Sequence, residues 1–437
     1  MLNQSNFAMA ILLIIYDLLL CLIIPFYIIG LAIKGKLDSS ILERFGVVSQ
    51  DLKERISKTG LIWLHAVSLG EVSSCKLLIK ELGNLYFNKK ILITTITSTG
   101  RKLAESLKQE NKNIEVVLLP FDLSFLIANF IRFINPKILI LVETELWPNM
   151  LYQIKKKNIA VVVINARISD RSFRRYSIFK WLFKYFNWCI DYFCAQSDTD
   201  KNRLLSLDIS KEKIKVTGNM KFDSIEELKP EEILMVSSLK EKLSIREDEL
   251  FLVAGSTHKP EEEYLLDAFI CLKKKFISLR LLIAPRHLER LSQIERLISN
   301  RGLKSQRLTQ IRKVAKDEIL LLDTIGQLHL IYTLATVVFV GGSLAKVGGH
   351  NFLEAACFKK PILVGPYMYN FKEIADYFIS NGGIIQLDSK DKLAETLDSL
   401  LSSSIKRTEL ANRANSLLLA KQKATLRNLE IISKYIS

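Results

Sequence analysis

The sequence predicts an α/β protein: two doubly wound, Rossmann-like domains behind an apolar N-terminal helix. Three observations lead there. Short β-branched runs alternate with helical patterns along most of the chain, as parallel sheets with crossover helices require. The alternation is broken by a polar, acidic stretch from Lys221 to Glu241, which divides it into two series. At 437 residues the chain is long enough for two ordinary domains, each with its own core.

Taken in order, residues 1–35 read as a membrane anchor. From Phe7 to Ile33 the chain is apolar except for Asp17 and Pro25, and no Lys or Arg precedes it. A signal peptide would carry a basic leader, so that reading is set aside. The cations come afterwards, at Lys34, Lys36 and Arg44, so by the positive-inside rule the body is expected to stay in the cytoplasm. The segment can span a bilayer, or it can bend or lie shallow as a monotopic anchor. A buried amphipathic helix is the weaker alternative, because apolar residues cover every face.

Residues 36–223 form the first domain, with strands expected at Leu61–Val67, Lys90–Ile96, Glu115–Leu119, Lys137–Val142, Ala160–Asn165, Asp191–Ala195 and Lys213–Thr217. Residues 224–242 read as a linker. The second domain, 243–410, carries strands at Leu250–Ala254, Leu279–Ala284, Glu318–Leu322, Thr336–Val340, Pro361–Val364 and Gly383–Gln386. Residues 411–437 read as a terminal helix. The two domains are expected to face each other across a cleft.

Composition narrows the function. Hydrophobic residues make up 49% of the chain, too many for a disordered or fibrous protein. The six cysteines (Cys21, Cys75, Cys189, Cys194, Cys271, Cys357) are scattered in apolar surroundings with no CxxC pair, as reduced packing residues are. The net charge of +16 is concentrated: between Lys155 and Lys184 nine cations stand against Asp170 alone, leaving +8, half of the total excess. Such a segment suits nucleic acid, a membrane surface or a phosphorylated lipid, or it is a solvated basic face. The neighbouring Phe179-Lys-Trp-Leu-Phe-Lys-Tyr-Phe-Asn-Trp188 interleaves large aromatics with lysines, which favours an anionic bilayer interface. No nucleic-acid-binding signature accompanies it, and nucleic acid is not expected as a partner.

Polar groups with chemical potential gather where strands end, the ligand side of an open α/β sheet. In the first domain, His65-Ala-Val-Ser-Leu-Gly-Glu71 delivers a carboxylate to the first turn of a helix capped by Ser68. Glu71 is placed there for proton chemistry, or it complements the helix dipole. Glu143 and Glu145 follow another strand, where two carboxylates are expensive to bury unless paired or used. Lys221 ends the last strand of the series, as a structural salt-bridge partner or as a cation of the site.

In the second domain the strand ends carry Gly255-Ser-Thr-His258, Pro285-Arg-His287, Gly341-Gly-Ser343 and Gly348-Gly-His-Asn-Phe-Leu-Glu-Ala-Ala356. Glycine turns before helix starts suit an anion, and a nucleotide phosphate is the expected one. Arg286 adds a fixed cation suited to bidentate contact. Four of the five histidines (His65, His258, His287, His350) fall within these motifs, more than core packing would place there; His329 reads as an ordinary helical residue. Walker A and GxGxxG are absent, against ATP hydrolysis and nicotinamide chemistry. Asp198-Thr-Asp200 reads as helix capping, and no metal site is expected.

These residues carry a resemblance. HAVSLGE, VETELWPN, INARISDRS, VTGNMKFD, AGSTH, PRHLER, VGGSLAKVGGHNFLEAA and GPYMYNFKEI resemble, in order and over nearly the whole chain, the lipid A Kdo transferases, which add 3-deoxy-manno-octulosonic acid (Kdo) to the lipid A precursor in lipopolysaccharide assembly. The resemblance implies a GT-B architecture, an inverting mechanism, CMP-Kdo as donor, lipid IVA as acceptor, one or several Kdo additions, and neither cofactor nor metal. It matches Glu71 to the general base and Glu143 with Lys221 to groups that stabilise the transition state. It matches Pro285 and Arg286; Ile325, Gly326 and Gln327; and Asn351, Phe352, Leu353 and Glu354 to the CMP-binding segments. Gln327 stands where an acid is usual, and Phe352 where a proline is usual. Two rival readings are a membrane-tethered glycolipid-binding protein on an inactive GT-B fold and a GT-B transferase using another nucleotide sugar.

Overall fold

The computed structural model describes residues 2–33, 35, 38, 40–56, 60–225, 228–246, 248–311 and 318–436; the expected anchor-flanking cations Lys34 and Lys36 lie outside them. The chain divides into two compact units, Met1–Ser224 with Gln422–Ser437, and Ile225–Lys421.

The first unit is built on seven parallel strands: β1 (Leu61–His65), β2 (Ile91–Thr95), β3 (Ile114–Leu118), β4 (Pro136–Val142), β5 (Ala160–Ala166), β6 (Tyr192–Ala195) and β7 (Ile214–Val216), in the order β3-β2-β1-β4-β5-β6-β7. Both faces are covered, and the alternation of side chains shows it. Leu61 and Trp63 of β1 join one core with Leu139 and Leu141 of β4, while Ile62 and Leu64 join the other with Ile138, Ile140 and Val142. That is why these strands read as continuous apolar runs. The order reverses between β1 and β4, so the ends of those two strands flank the topological switch point, where such sheets bind ligands.

The second unit repeats the plan with β8 (Leu250–Thr257), β9 (Leu279–Pro285), β10 (Lys304–Arg307), β11 (Glu318–Leu321), β12 (Val337–Val340), β13 (Ile362–Val364) and β14 (Ile385–Gln386), ordered β10-β11-β9-β8-β12-β13-β14 and parallel throughout. Its switch point lies between β8 and β12. The chain is thus a pair of Rossmann-like units of the GT-B class, as expected.

Three features differ from the sequence reading. The edge strand β10 was not expected, because Lys304-Ser-Gln-Arg307 has no apolar residue to signal it. The stretch 224–242 is not a bare linker but carries a 13-residue helix, Pro230–Lys242, started by Pro at its first position and acids at Glu231 and Glu232, and ended by Lys240 and Lys242. In place of one terminal helix over 411–437 there are two. Ser404–Lys421 belongs to the second unit, whereas Ala424–Ile436 returns to the first and buries Ile431, Ile432 and Ile436 against its sheet. Asp223 holds that return, accepting from the backbone N–H of Lys423 at 2.7 Å and from that of Thr425.

The N-terminal helix runs from Leu2 to Ile33, and its segment Met9–Ile33 is long and apolar enough to cross a membrane. It is neither free-standing nor wholly buried: Leu13 and Ile24 are buried, whereas Leu18, Leu22 and Phe26 are exposed.

Candidate active site

At the first switch point, β1 runs into Ser68, which caps the short helix Leu69–Ser74 and sets Glu71 in its first turn. The Ser68 hydroxyl accepts from the Glu71 N–H at 3.4 Å and donates to Glu71 Oε1 at 2.8 Å, while the Val67 N–H donates to Oε2 at 2.7 Å. The carboxylate is thereby fixed yet keeps lone pairs for a further donor. Glu71 is only 7% exposed. Burial pushes its pKa up to about 7, against the two hydrogen bonds, and the nearby Glu143 and Glu145 push the same way. A group poised near neutrality is what general-base work requires.

Glu143 and Glu145 leave the end of β4, the adjacent strand. Glu143 sits at φ 60°, a left-handed conformation that non-glycine residues adopt rarely, with its N–H donating to Ile164 O at 2.9 Å. Burial, then Glu143, raises the pKa of Glu145. Lys221 follows β7, three strands from β4, on the turn Met220–Phe222. A polar chain folds that turn back: Asn165 Oδ1, at the end of β5, accepts from Met220 N–H at 3.0 Å, and Asn219 Oδ1 accepts from Lys221 N–H at 2.9 Å. Gln196 ties the two asparagines together, donating to Asn165 O and accepting from Asn219 Nδ2, both at 2.9 Å. The turn carrying Lys221 is thus tied to the end of β5, the strand paired with β4, which delivers Glu143.

His65 does not belong to this chemistry. It is fully buried, its Nδ1 lies 2.9 Å from Thr94 Oγ1, and burial depresses its pKa to about 3, so it stays neutral and serves the β1–β2 pair. Nor does Asp198 cap its helix: Ser197 does, and Asp200 accepts from Ile168 N–H at 2.9 Å.

In the second unit the expected segments end contiguous strands. Ile325–Gln327 follows β11, Pro285 and Arg286 close β9, His258 follows β8, and His350 to Glu354 lie beyond β12. Arg286 and His287 are exposed at the surface. His258 and His350 meet Nε2 to Nε2 at 2.8 Å, and His287 crosses His258 edge-on with ring centres 5.4 Å apart. Burial first, and then neighbouring cations and imidazoles, lower both pKa values, His350 to about 4. A neutral imidazole pair beside Arg286 can offer an N–H to an anion.

One expected anion cradle is already filled. The carboxylate of Glu261, fully buried, takes the N–H groups of His258 (2.9 Å), Gly342 (2.7 Å), Ser343 (2.9 Å), Leu344 (2.8 Å) and Ala345 (3.1 Å). The turn Gly341-Gly-Ser343 therefore binds an internal carboxylate, not a nucleotide phosphate, and stitches the loop after β12 to the helix after β8. Gly341 is required for that closeness, since a Cβ there would lie 2.5 Å from Ser256 O. The adjacent Glu262 holds Arg290 with two bonds, at 2.8 and 3.0 Å. Sequence reasoning missed both acids, although the run Glu261-Glu-Glu263 directly after a strand was the available signal.

Among the other expected residues, Phe352 and Leu353 are core side chains. Phe352 packs edge-on against Phe378 at 5.1 Å, so only the backbone of these two can reach a ligand. Asn351 Oδ1 accepts from Leu353 N–H at 3.1 Å, and burial raises the pKa of Glu354. Pro285 is buried, Ile325 is 88% exposed, Gly326 is at φ 86°, and Gln327 accepts from Thr324 Oγ1 at 2.7 Å at the start of the helix Leu328–Leu334. Among the described residues no group of His, Cys, Asp and Glu has the arrangement of a metal site.

Comparison with known proteins places this arrangement. A family model described as 3-Deoxy-D-manno-octulosonic-acid transferase (kdotransferase) matches residues 39–224, and one described as Glycosyl transferases group 1 matches residues 236–417. A 3-deoxy-D-manno-octulosonic acid transferase of Haemophilus influenzae is 34% identical over 86% of this chain and 87% of its own length. A bifunctional glycosyltransferase/methyltransferase of Fusobacterium nucleatum is 35% identical over 84% of this chain, which spans 56% of that protein. In fold alone, the UDP-GlcNAc 2-epimerase of Neisseria meningitidis matches 86% of this chain and all of its own with a TM-score of 0.59 at 14% identity. With both its family models and a relative matched almost end to end, this chain belongs to the 3-deoxy-D-manno-octulosonic acid transferases and is a Kdo glycosyltransferase.

Proposed function

We propose that this chain transfers Kdo from CMP-Kdo to a lipid A precursor, lipid IVA, at the cytoplasmic face of an inner membrane, by a single displacement with inversion. The observation that carries the reading is Glu71, a fixed, buried carboxylate with its pKa raised to about 7 at the first switch point. Glu71 takes the proton of the attacking acceptor hydroxyl. The hydroxyl oxygen forms a bond to the anomeric carbon of Kdo, the bond from that carbon to the CMP phosphate oxygen breaks, and its electron pair leaves with CMP. The Glu143 carboxylate stabilises the positive charge developing on the reacting sugar, with Lys221 as its cationic counterpart. Arg286 and the segment Asn351–Glu354 hold the nucleotide and stabilise the departing phosphate more in the transition state than in the ground state. Every step uses groups of this protein, and no cofactor or metal is assigned to it in this reading.

The cationic helices meet the acceptor's phosphates. Part of their excess is internally matched, since Lys155 faces Asp191 at 3.6 Å and Lys180 pairs with Asp208 at 2.8 Å. Arg171, Arg174, Arg175 and Lys184 remain exposed.

The test is purified full chain with CMP-Kdo and tetraacylated lipid A precursor, beside Glu71→Ala, with products read by mass. Addition of one or more Kdo units by the wild type, lost in a folded Glu71→Ala protein, is the expected result and counts the sugars. Transfer from a UDP-sugar instead would overturn the donor assignment. No transfer from any donor would favour a glycolipid-binding protein.

A further inference from the structure

The N-terminal helix presents two stripes. Met9, Leu13, Asp17, Leu20, Ile24 and Ile28 turn toward the first unit, while Ile11, Ile15, Leu18, Leu22, Phe26 and Ile29 are exposed on another face. Both sets recur at helical spacing.

The inward stripe is held by more than apolar contact. Asp17, the lone acid of the segment, accepts from Ser124 N–H at 3.1 Å, from Asn149 Nδ2 at 2.7 Å and from the Ser124 hydroxyl. Ser124 and Asn149 stand at the starts of the helices Ser124–Ile134 and Pro148–Lys156, and Asp122, beneath them, accepts from the N–H groups of Asn149 (3.1 Å) and Met150 (2.8 Å). Further along, Ile24 packs with Phe121, Leu123 and Leu126, and Tyr27 meets Phe121 edge-on at 6.1 Å. From Met9 to Ile28 the helix is therefore attached to the body over about 28 Å.

Attachment of that length conflicts with crossing a bilayer. The hydrocarbon core is about 30 Å thick, so a spanning helix would carry Asp122, Ser124, Asn149 and two helix starts of a water-facing sheet domain into lipid. A helix docked along its inner stripe buries its outer stripe in lipid only by lying along the surface.

The flanking chemistry identifies that surface. Tyr185 donates to Pro148 O at 2.7 Å, one residue from Asn149, which sets the helix Lys180–Cys189 beside the attachment point. There Phe179, Trp181 and Trp188 are exposed together with Arg174, Arg175 and Lys184. Aromatic rings with cations are the composition of an anionic membrane interface.

We propose that the N-terminal helix does not span the membrane but lies along one leaflet of an anionic bilayer, pinned to the first unit by Asp17. In its choice of partner this rests on the acceptor being a membrane lipid. Asp17, which would oppose insertion as a spanning residue, is here the anchor's fastening to the enzyme.

The test places spin labels on single cysteines at Ile11, Ile15, Leu18, Leu22, Phe26 and Ile29 of the full chain carrying Cys21→Ser, Cys271→Ser and Cys357→Ser, bound to vesicles of phosphatidylethanolamine with phosphatidylglycerol. One shallow depth at all six positions is expected. A depth that rises to a maximum mid-helix and falls again would establish a spanning helix and overturn the proposal. Labels shielded from lipid in a soluble dimer would overturn it in favour of a second copy on this face. As a second measurement, Asp17→Leu should lower the thermal midpoint by on the order of 5 °C, with Asp17→Asn losing less; a raised midpoint in membranes contradicts the fastening. Kdo transfer to acceptor in detergent, assayed on the same preparations, keeps failure of the transferase reading apart from failure of this one.

Discussion

The two switch points are built by one topological rule and tuned to opposite chemistry. Between β1 and β4 the chain gathers acids: Glu143 and Glu145 raise the proton affinity of Glu71, and Glu143 that of Glu145, each on top of burial. Between β8 and β12 it gathers imidazoles and backbone N–H groups, and meets the buried Glu261 with five hydrogen bonds. A carboxylate given two donors and like-charged neighbours is kept basic enough to take a proton. Burial raises the pKa of Glu261 as well, but a carboxylate given five donors has no lone pair left for a substrate and is structural. The number and sign of the neighbours, more than the residue type, separates a reactive acid from a scaffold acid.

That contrast can be broken at four places. Glu71→Gln should lower kcat by about a hundredfold to ten-thousandfold with KM little changed, the loss of a general base. Because Glu71 has its folded pKa raised, it costs stability once deprotonated: its contribution is favourable below about 4.5 and is lost as pH rises through about 7. Glu71→Gln should accordingly be more stable than wild type by about 1–3 kcal/mol at pH 8 and near parity at pH 4, as denaturant melts at the two pH values would read.

Glu261→Ala makes the opposite trade. It strands five buried N–H groups and should cost about 3–5 kcal/mol of stability by chemical denaturation, whatever the assay pH above neutrality. An unaltered midpoint would show that the loop after β12 does not need its internal anion. Arg286→Ala, an exposed cation without a structural duty among the described contacts, should leave the midpoint unchanged and reduce kcat/KM by roughly tenfold to a hundredfold, partly restored by Arg286→Lys. Smallest of all, Glu145→Gln removes one like charge near Glu71 and should move the acidic limb of the rate profile down by a few tenths of a pH unit.

Much of this was legible beforehand, for a physical reason. Strands covered on both faces are mostly apolar, so thirteen of the fourteen announced themselves; β10, at a sheet edge and without an apolar residue, did not. Glu71 was legible because its cap, Ser68, lies three residues away. The fate of Gly341-Gly-Ser343 was not, because a glycine turn advertises an anion without saying which, and the anion that fills it comes from Glu261, 80 residues earlier. His65 misled for a related reason: a histidine at a strand end reads alike whether it faces solvent or, as here, Thr94 in the core. The docked stripe of the N-terminal helix was hidden because both its faces are apolar, and only Asp17 marked the inner one.

The most direct measurement is the pH dependence of kcat/KM for Kdo transfer, wild type beside Glu71→Gln. A wild-type rate that climbs tenfold per pH unit and levels off near pH 7, with the residual activity of the variant lacking that limb, is the expected result. A wild-type rate flat from pH 5 to 8, or the same limb persisting in Glu71→Gln, would contradict Glu71 as the base.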